Sequence, residues 1–258
     1  MILEARQVTH YYGDVRALDD VTLGVEPGQL VSIIGPNGAG KSTLINVLTG
    51  LLEPSTGAVR FKGRDIAGAG LVRAARLGLA RSFQLVQIFP ELTVLETLQA
   101  AVVSRLGRGR RILGSLRADA EVRRDAEHVA DLFGLREQLH APSRTLPQGG
   151  KKVLDVAAAF ALRPEVILLD EPTSGVSTRD KTLVMQMLVR ASRGIGVQAI
   201  LLVEHDMDIV FGYSDRIVAL QEGRILVDTT PDGLRSNEAV LAALVGRPPA
   251  ATPAAPEA

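Results

Sequence analysis

The sequence predicts an α/β fold in which a parallel sheet is covered by helices on both faces, preceded by antiparallel strands and interrupted by a helical lobe. Three observations carry this. Beyond about residue 163, apolar runs at 166–169, 197–203 and 217–220 alternate with a helical stripe through Leu183, Met187 and Leu188. Near-continuous apolar strands of this kind belong to sheets buried on both sides. Over residues 1–35 the apolar side chains instead alternate, around Val8 and again at Val21, Leu23 and Val25, the period of half-buried antiparallel strands. Between Thr93 and about Leu162 the period turns helical, with stripes at Val94, Leu95, Leu98 and Val102, then at Val129, Leu132 and Phe133.

The remaining elements follow in order. Leu30-Val31-Ser32-Ile33-Ile34 is an apolar run that ends in a glycine-rich turn. A helix starts at about Lys41 with Leu44, Val47, Leu48 and Leu51 on one face and Gly50 near its end. Residues 58–61 and 79–83 read as strands. Gln221-Glu222-Gly223-Arg224 resembles a hairpin turn into 225–227, and 231–245 reads as one final helix. The expected division is a domain over about 1–246, with its core at about 1–88 and 163–230, the helical lobe at about 89–162 and the last helix at about 231–246. The Pro- and Ala-rich end, 247–258, has little to bury and is expected to be disordered.

Composition narrows the function classes. A chain of 258 residues, 46% hydrophobic and 22% charged, can bury a sizeable core. A formal net charge of zero supplies no electrostatic footprint for nucleic acid or for an anionic membrane. The absence of cysteine excludes disulfides and thiolate metal sites and fits a reducing compartment. The first residues lack the charged start and apolar stretch of a signal peptide, and no apolar run approaches the roughly 20 residues of a membrane span. Work at a membrane would therefore need another chain as anchor.

Two motifs carry chemistry. Gly35-Pro36-Asn37-Gly38-Ala39-Gly40-Lys41-Ser42-Thr43 satisfies the phosphate-loop pattern in full, with a strand before it and a helix after it. Its glycines let successive backbone N–H groups turn inward as a nest for phosphate oxygens, and the helix adds its positive end. Lys41 can reach the β- and γ-phosphates of ATP, and the Ser42 hydroxyl can ligate Mg²⁺. The second motif is Val166-Ile167-Leu168-Leu169-Asp170-Glu171, a buried strand ending in two acids. Asp170 is placed to hold Mg²⁺ through water, and Glu171 to orient and deprotonate the attacking water.

The order of phosphate loop, glutamine after a strand, glycine-containing turn before a helix, Asp-Glu strand and histidine after the next strand resembles the ABC ATPase family over essentially all of residues 1–246. The resemblance implies a RecA-like P-loop NTPase core with an antiparallel β subdomain and an inserted α-helical subdomain. It further implies that Tyr12, or its neighbour Tyr11, stacks on adenine. Gln84 is implied to touch Mg²⁺ and water, and His205 to contact the γ-phosphate. In this family two copies face each other, so the expected partners are a second ABC ATPase subunit and transmembrane permease subunits, on the cytoplasmic face of the cell membrane.

The chain departs from the family at two places. The signature loop Leu-Ser-Gly-Gly-Gln is here Leu146-Pro147-Gln148-Gly149-Gly150, in the register set by Leu154, Val156 and Ala157 of the following helix and by the spacing to Asp170. Proline has neither hydroxyl nor N–H, whereas Gly149 keeps a backbone donor. In Ser174-Gly175-Val176-Ser177 a serine stands where the family commonly has aspartate. An intact phosphate-loop side with an altered signature favours a heterodimer over a homodimer.

Gly78-Leu79-Ala80-Arg81-Ser82-Phe83-Gln84 with Ile88-Phe89-Pro90-Glu91-Leu92-Thr93-Val94 is similar to importers of branched-chain amino acids, and relatives handling urea or short amides share much of it. The basic stretch 105–117 is either a solvated loop or a contact for lipid headgroups. Two other functions remain open at this level: a soluble ABC protein acting on nucleic acid, and a regulatory subunit with little turnover. The single ATP-binding core and the short insert without sustained heptads weigh against the first, and Glu171 and His205 against the second.

Overall fold

In the computed structural model, which describes residues 1–82, 88–110 and 119–245, a six-stranded sheet runs through the centre of the molecule. Its strands are β3 (Leu30–Ile34), β6 (Leu79–Arg81), β7 (Val166–Asp170), β8 (Ala199–Val203), β9 (Arg216–Gln221) and β10 (Arg224–Thr229), in the spatial order β10-β9-β3-β8-β7-β6. All neighbours are parallel except β10, which pairs antiparallel with β9 at the edge. The continuous apolar runs of β7 and β8 follow from the two-residue period of a strand. Val166 and Leu168, with Leu201 and Val203, face one core, whereas Ile167, Leu169, Ile200 and Leu202 face another.

The first core lies between this sheet and a smaller antiparallel one. The small sheet contains β1 (Leu3–Tyr12), β2 (Val15–Val25), β4 (Thr56–Phe61) and β5 (Arg64–Asp65), ordered β2-β1-β4-β5. Its half-buried alternation places Leu3, Ala5, Val8, Val21, Leu23 and Val25 inward. Helix α1 (Lys41–Leu48) completes that core with Leu44, Ile45, Val47 and Leu48, while the expected fourth member of its stripe, Leu51, lies past the helix end and is exposed. Gly50, at φ +68, turns the chain away before Leu51 can reach the face.

The second core is shared by the sheet and the helical lobe of α3 (Val94–Arg105), α4 (Ala120–Leu132) and α5 (Gln148–Ala161), with α6 (Thr178–Ile195) closing it. The starts of α3 and α4 are chemically marked. Thr93 and Glu96 form a reciprocal capping box on α3, and Asp119 accepts from the N–H groups of Glu121 and Val122 on α4. Phe133 and Phe160 meet edge to face at 5.1 Å in the lobe interior. Of the basic stretch, Arg105 pairs with Asp125 and Arg108 with Asp119 and Glu121. Residues 111–118 lie outside the described residues.

Several local expectations are corrected. Leu183 lies within helix α6 as expected but on its exposed side, while α6 turns Val184, Met185, Leu188 and Ala191 inward. The single helix expected over 231–245 is two, α8 (Pro231–Arg235) and α9 (Glu238–Val245), because the Asn237 side chain accepts from the Val240 N–H and starts a new helix. Helices α2 (Leu71–Leu77) and α7 (Met207–Tyr213) were not expected. The strand expected over 79–83 ends at Arg81, Ser82 lies beyond it, and 83–87 and 246–258 lie outside the described residues.

Phe160 is fully buried where lobe and sheet share their core. Phe160→Ala should destabilise the protein by about 3–5 kcal/mol, the range for an aromatic core truncation that leaves a cavity, measured by urea unfolding. A change of a few tenths would mean that the lobe does not depend on this seam.

Candidate functional site

The loop between β3 and α1 has a backbone that only glycine tolerates at two points. A Cβ on Gly35 (φ +150) would sit 2.2 Å from the Leu220 carbonyl oxygen, and one on Gly40 (φ +98) would sit 2.6 Å from that of Ala17. The predicted hairpin packs against the same loop. Glu222 and Gly223 both have positive φ, as a tight two-residue turn requires, and the turn presses on the loop. The Gly223 N–H donates to the Ala39 carbonyl at 3.0 Å, and the Gly223 carbonyl accepts from the Asp19 N–H at 2.9 Å.

Helix α1 then begins at Lys41 without a side-chain cap and without an acid in its first turn, leaving its positive N-terminus turned toward the loop. Lys41 Nζ donates to the carbonyls of Gly35 and Pro36 at 2.8 and 2.9 Å, so the ammonium is held across the loop. Burial pushes its pKa down from the usual lysine value, and the nearby Glu171 and Asp170 pull it back up. Residues 37–43 line a cavity of about 300 Å³ with Ala17, Glu171 and Val203. Ser42 is exposed on this side and Thr43 is buried behind it.

The register of three parallel strands brings the second motif and the histidine to the same edge. Val203 pairs with Ile33 on one side and with Asp170 on the other. Asp170 is buried and accepts from Arg81 Nη2 at 2.9 Å, while Arg81 also reaches Asn46 of α1. Glu171 adopts the left-handed backbone region (φ +49), uncommon for a non-glycine residue, and its N–H donates to the Val203 carbonyl at 2.9 Å. His205 Nδ1 lies 3.6 Å from Glu171 Oε1, beyond hydrogen-bond length but within ion-pair reach when the imidazole is protonated.

Other predicted residues are placed apart. Tyr11 and Tyr12, at the end of β1, are both about half exposed and neither lines the cavity; Tyr12 meets the His10 ring edge to face at 4.8 Å. Gln84 lies outside the described residues. Leu146 is buried, Pro147 is the N-cap of α5, and Gln148, Gly149 and Gly150 form its first turn, away from this chain's own cavity. Proline is compatible there because the N-cap N–H takes no part in the helix ladder, and its carbonyl accepts from the Lys151 N–H at 2.9 Å. The Ser177 hydroxyl caps α6 by accepting from the Asp180 N–H at 3.4 Å, and it donates to the Asp180 carboxylate at 2.6 Å.

Sequence reasoning missed three charged residues here. Arg81 was read as part of a strand and of the stretch 78–84 similar to importers, without a role of its own. Glu204 is almost fully buried and accepts from the Thr173 N–H and hydroxyl at 3.2 and 2.6 Å, tying the end of β8 to the turn after Glu171. Lys152 is buried on α5, its pKa pushed down by burial and up by Asp155, Asp170, Glu171 and Glu204. The legible signal for Lys152 was its spacing, since 152, 156 and 159 share one buried helical face.

A phosphate loop and an Asp-Glu strand at one edge of a parallel sheet define a P-loop nucleotide hydrolase. The model of the ABC transporter family matches residues 18–174, and the chain belongs to that family. It is 36% identical over 252 residues to the high-affinity branched-chain amino acid transport ATP-binding protein BraF of Pseudomonas aeruginosa, covering 95% of this chain and 98% of that one. It is 34% identical over 242 residues to LivG of Escherichia coli K12, which carries the same description, covering 91% and 94%. Among solved structures, the ADP conformation of an ATP-binding cassette of an ABC transporter matches with a TM-score of 0.82 at 28% identity, over 95% of this chain and 99% of that one.

Lys41→Ala should weaken ATP binding and ATP hydrolysis together, since an ammonium in a phosphate loop would contact phosphates in the ground state and the transition state alike. A loss of about tenfold or more in affinity is expected for one charge-assisted contact, measurable by calorimetry. Undiminished affinity would separate this loop from nucleotide binding.

Proposed function

We propose that this chain is the ATP-hydrolysing subunit of an importer of branched-chain amino acids, working as a dimer against permease subunits on the cytoplasmic face of the membrane. The observation that carries the reading is that Glu171 shares one cavity with residues 37–43 of the phosphate loop. The relatives, matched over nine-tenths or more of the chain, are branched-chain amino acid transport proteins, which favours that solute class over urea or short amides. No helix among the described residues is long and apolar enough to cross a membrane, which suits a subunit that engages separate membrane chains. One cassette is proposed over about 1–246, with the lobe at about 89–162 as its moving part.

In this reading the N–H groups of 35–43 and the Lys41 ammonium bind the phosphates, and Tyr12 offers its ring to the adenine. Glu171 orients a water and takes its proton as the water attacks the γ-phosphorus. His205, beside Glu171, faces the γ-phosphate. Ser42 and Asp170, with Gln84, are the residues that would hold Mg²⁺. Among the described residues no three His, Cys, Asp or Glu side chains gather as a metal site. A few hard oxygen donors completed by phosphates and water suit Mg²⁺. When bound, the ion neutralises charge on the phosphate oxygens.

Residues 146–150 are proposed to close over the nucleotide of the partner subunit, from the N-terminal end of α5. With Pro147 in place of a hydroxyl, the donors left to that loop are backbone N–H groups such as that of Gly149. A heterodimer with an ATPase carrying the usual serine follows as the favoured assembly.

Glu171→Gln should leave ATP affinity nearly intact, lower turnover by a factor on the order of 10² or more and abolish uptake of leucine, isoleucine and valine in cells that depend on this chain. Equal loss of affinity and turnover would make Glu171 structural, and normal uptake would remove the transport role.

Pro147→Ser tests the asymmetry. A hydroxyl bonded to a charged phosphate is worth roughly 1.5–3 kcal/mol, about one to two decades in rate when felt only in the transition state. The mutant homodimer should gain up to that factor in ATPase rate at saturating ATP. No gain, with dimerisation confirmed, would show that backbone donors suffice and remove the main support for a heterodimer.

A further inference from the structure

Lys152 is the fifth residue of α5 and only 3% exposed. A buried ammonium persists only where hydrogen bonds and opposite charge replace its lost hydration. Lys152 Nζ donates to the main-chain carbonyl of Asp170 at 3.2 Å, and the carboxylates of Asp155, Asp170, Glu171 and Glu204 all lie within Coulombic reach.

That carbonyl belongs to the peptide unit whose other end is the Glu171 N–H, which donates to the Val203 carbonyl. The one peptide joining Asp170 to Glu171 is therefore gripped from both sides, by α5 of the helical lobe and by β8 of the sheet. Rotation about the next bond is the φ of Glu171, held at +49. A non-glycine residue stays in that region only when its surroundings impose it. The direction of the Glu171 side chain thus depends on a contact made by the same helix that presents 146–150 at its N-terminus. Glu204 secures the following turn through Thr173.

We propose that Lys152 is a positioning residue for Glu171: it clamps the Asp170–Glu171 peptide to α5, so that Glu171 points into the phosphate-loop cavity only while the helical lobe is docked on the sheet. The inference rests on the reading of Glu171 as the group that activates water. It makes the position of the lobe, and with it of residues 146–150, a condition for hydrolysis within the same chain.

The test uses the full-length chain at saturating ATP. Lys152→Met fills the same volume without the donor. It should lower kcat by about tenfold or more while KM and ATP affinity stay within about twofold, because ground-state phosphate contacts do not involve it. In the double variant with Glu171→Gln, single-turnover rates should fall no further than in Glu171→Gln alone, since both changes remove one function. If Lys152→Met does not fold, Lys152→Leu, which likewise lacks a donor, is read by the same criteria. Unchanged kcat in a folded Lys152 variant while Glu171→Gln is inactive overturns this inference alone. Unchanged kcat in both overturns the Glu171 reading with it. Additive losses, or a KM that rises as kcat falls, would assign Lys152 a structural role and overturn the clamp.

Discussion

The parallel pairing of β3, β8 and β7 is the constraint on which the rest depends. Ile33, Val203 and Asp170 stand side by side across the three strands. The chain that leaves each strand therefore enters the same strip of space at the C-terminal edge of the sheet, where α/β folds gather their ligands. From β3 comes the phosphate loop, from β7 comes Glu171, and from β8 come Glu204 and His205. The pairing is pinned by the cores. A slip of one residue in β7 would exchange Val166 and Leu168 for Ile167 and Leu169, sending each set to the core built for the other.

At that edge the backbone is held in conformations that only its neighbours make tolerable. Gly35 and Gly40 are crowded by the carbonyls of Leu220 and Ala17, and the 221–224 hairpin is bonded both to the loop and to β2. Glu171 keeps its left-handed backbone between the Val203 and Lys152 contacts. Local strain of this kind is sustained by the surrounding fold and is concentrated where function is expected. The small antiparallel sheet therefore does more than cover a face. Through Asp19 and Ala17 it supports the phosphate loop from outside.

The two departures from the family pattern are compatible with the local structure. Pro147 occupies an N-cap whose N–H no helix bond needs, and Ser177 caps α6 with Asp180 as partner. Neither departure strains its helix. Arg105 and Arg108 of the basic stretch are engaged with Asp125, Asp119 and Glu121 of the lobe, which favours the solvated-loop reading of that part over a lipid contact.

Local chemistry by itself determined much of this protein. The phosphate loop, the Asp-Glu strand and the hairpin at 221–224 are contiguous segments that their own residues make recognisable. The two-residue and 3.6-residue periods separated strands from helices over most of the chain. Helices without a long apolar stripe escaped that reading. Helix α2 buries only Ala74, and α7 is short although Asp206 caps it. The break at Asn237 was hidden because apolar periodicity continues across it. Only the tertiary structure decided which distant groups meet. Lys152 and Asp170 are 18 residues apart, Thr173 and Glu204 are 31 apart, and Arg81 reaches Asp170 across 89. No local propensity encodes such contacts, since a buried charge is stabilised by partners that the packing of helices on a sheet brings within reach.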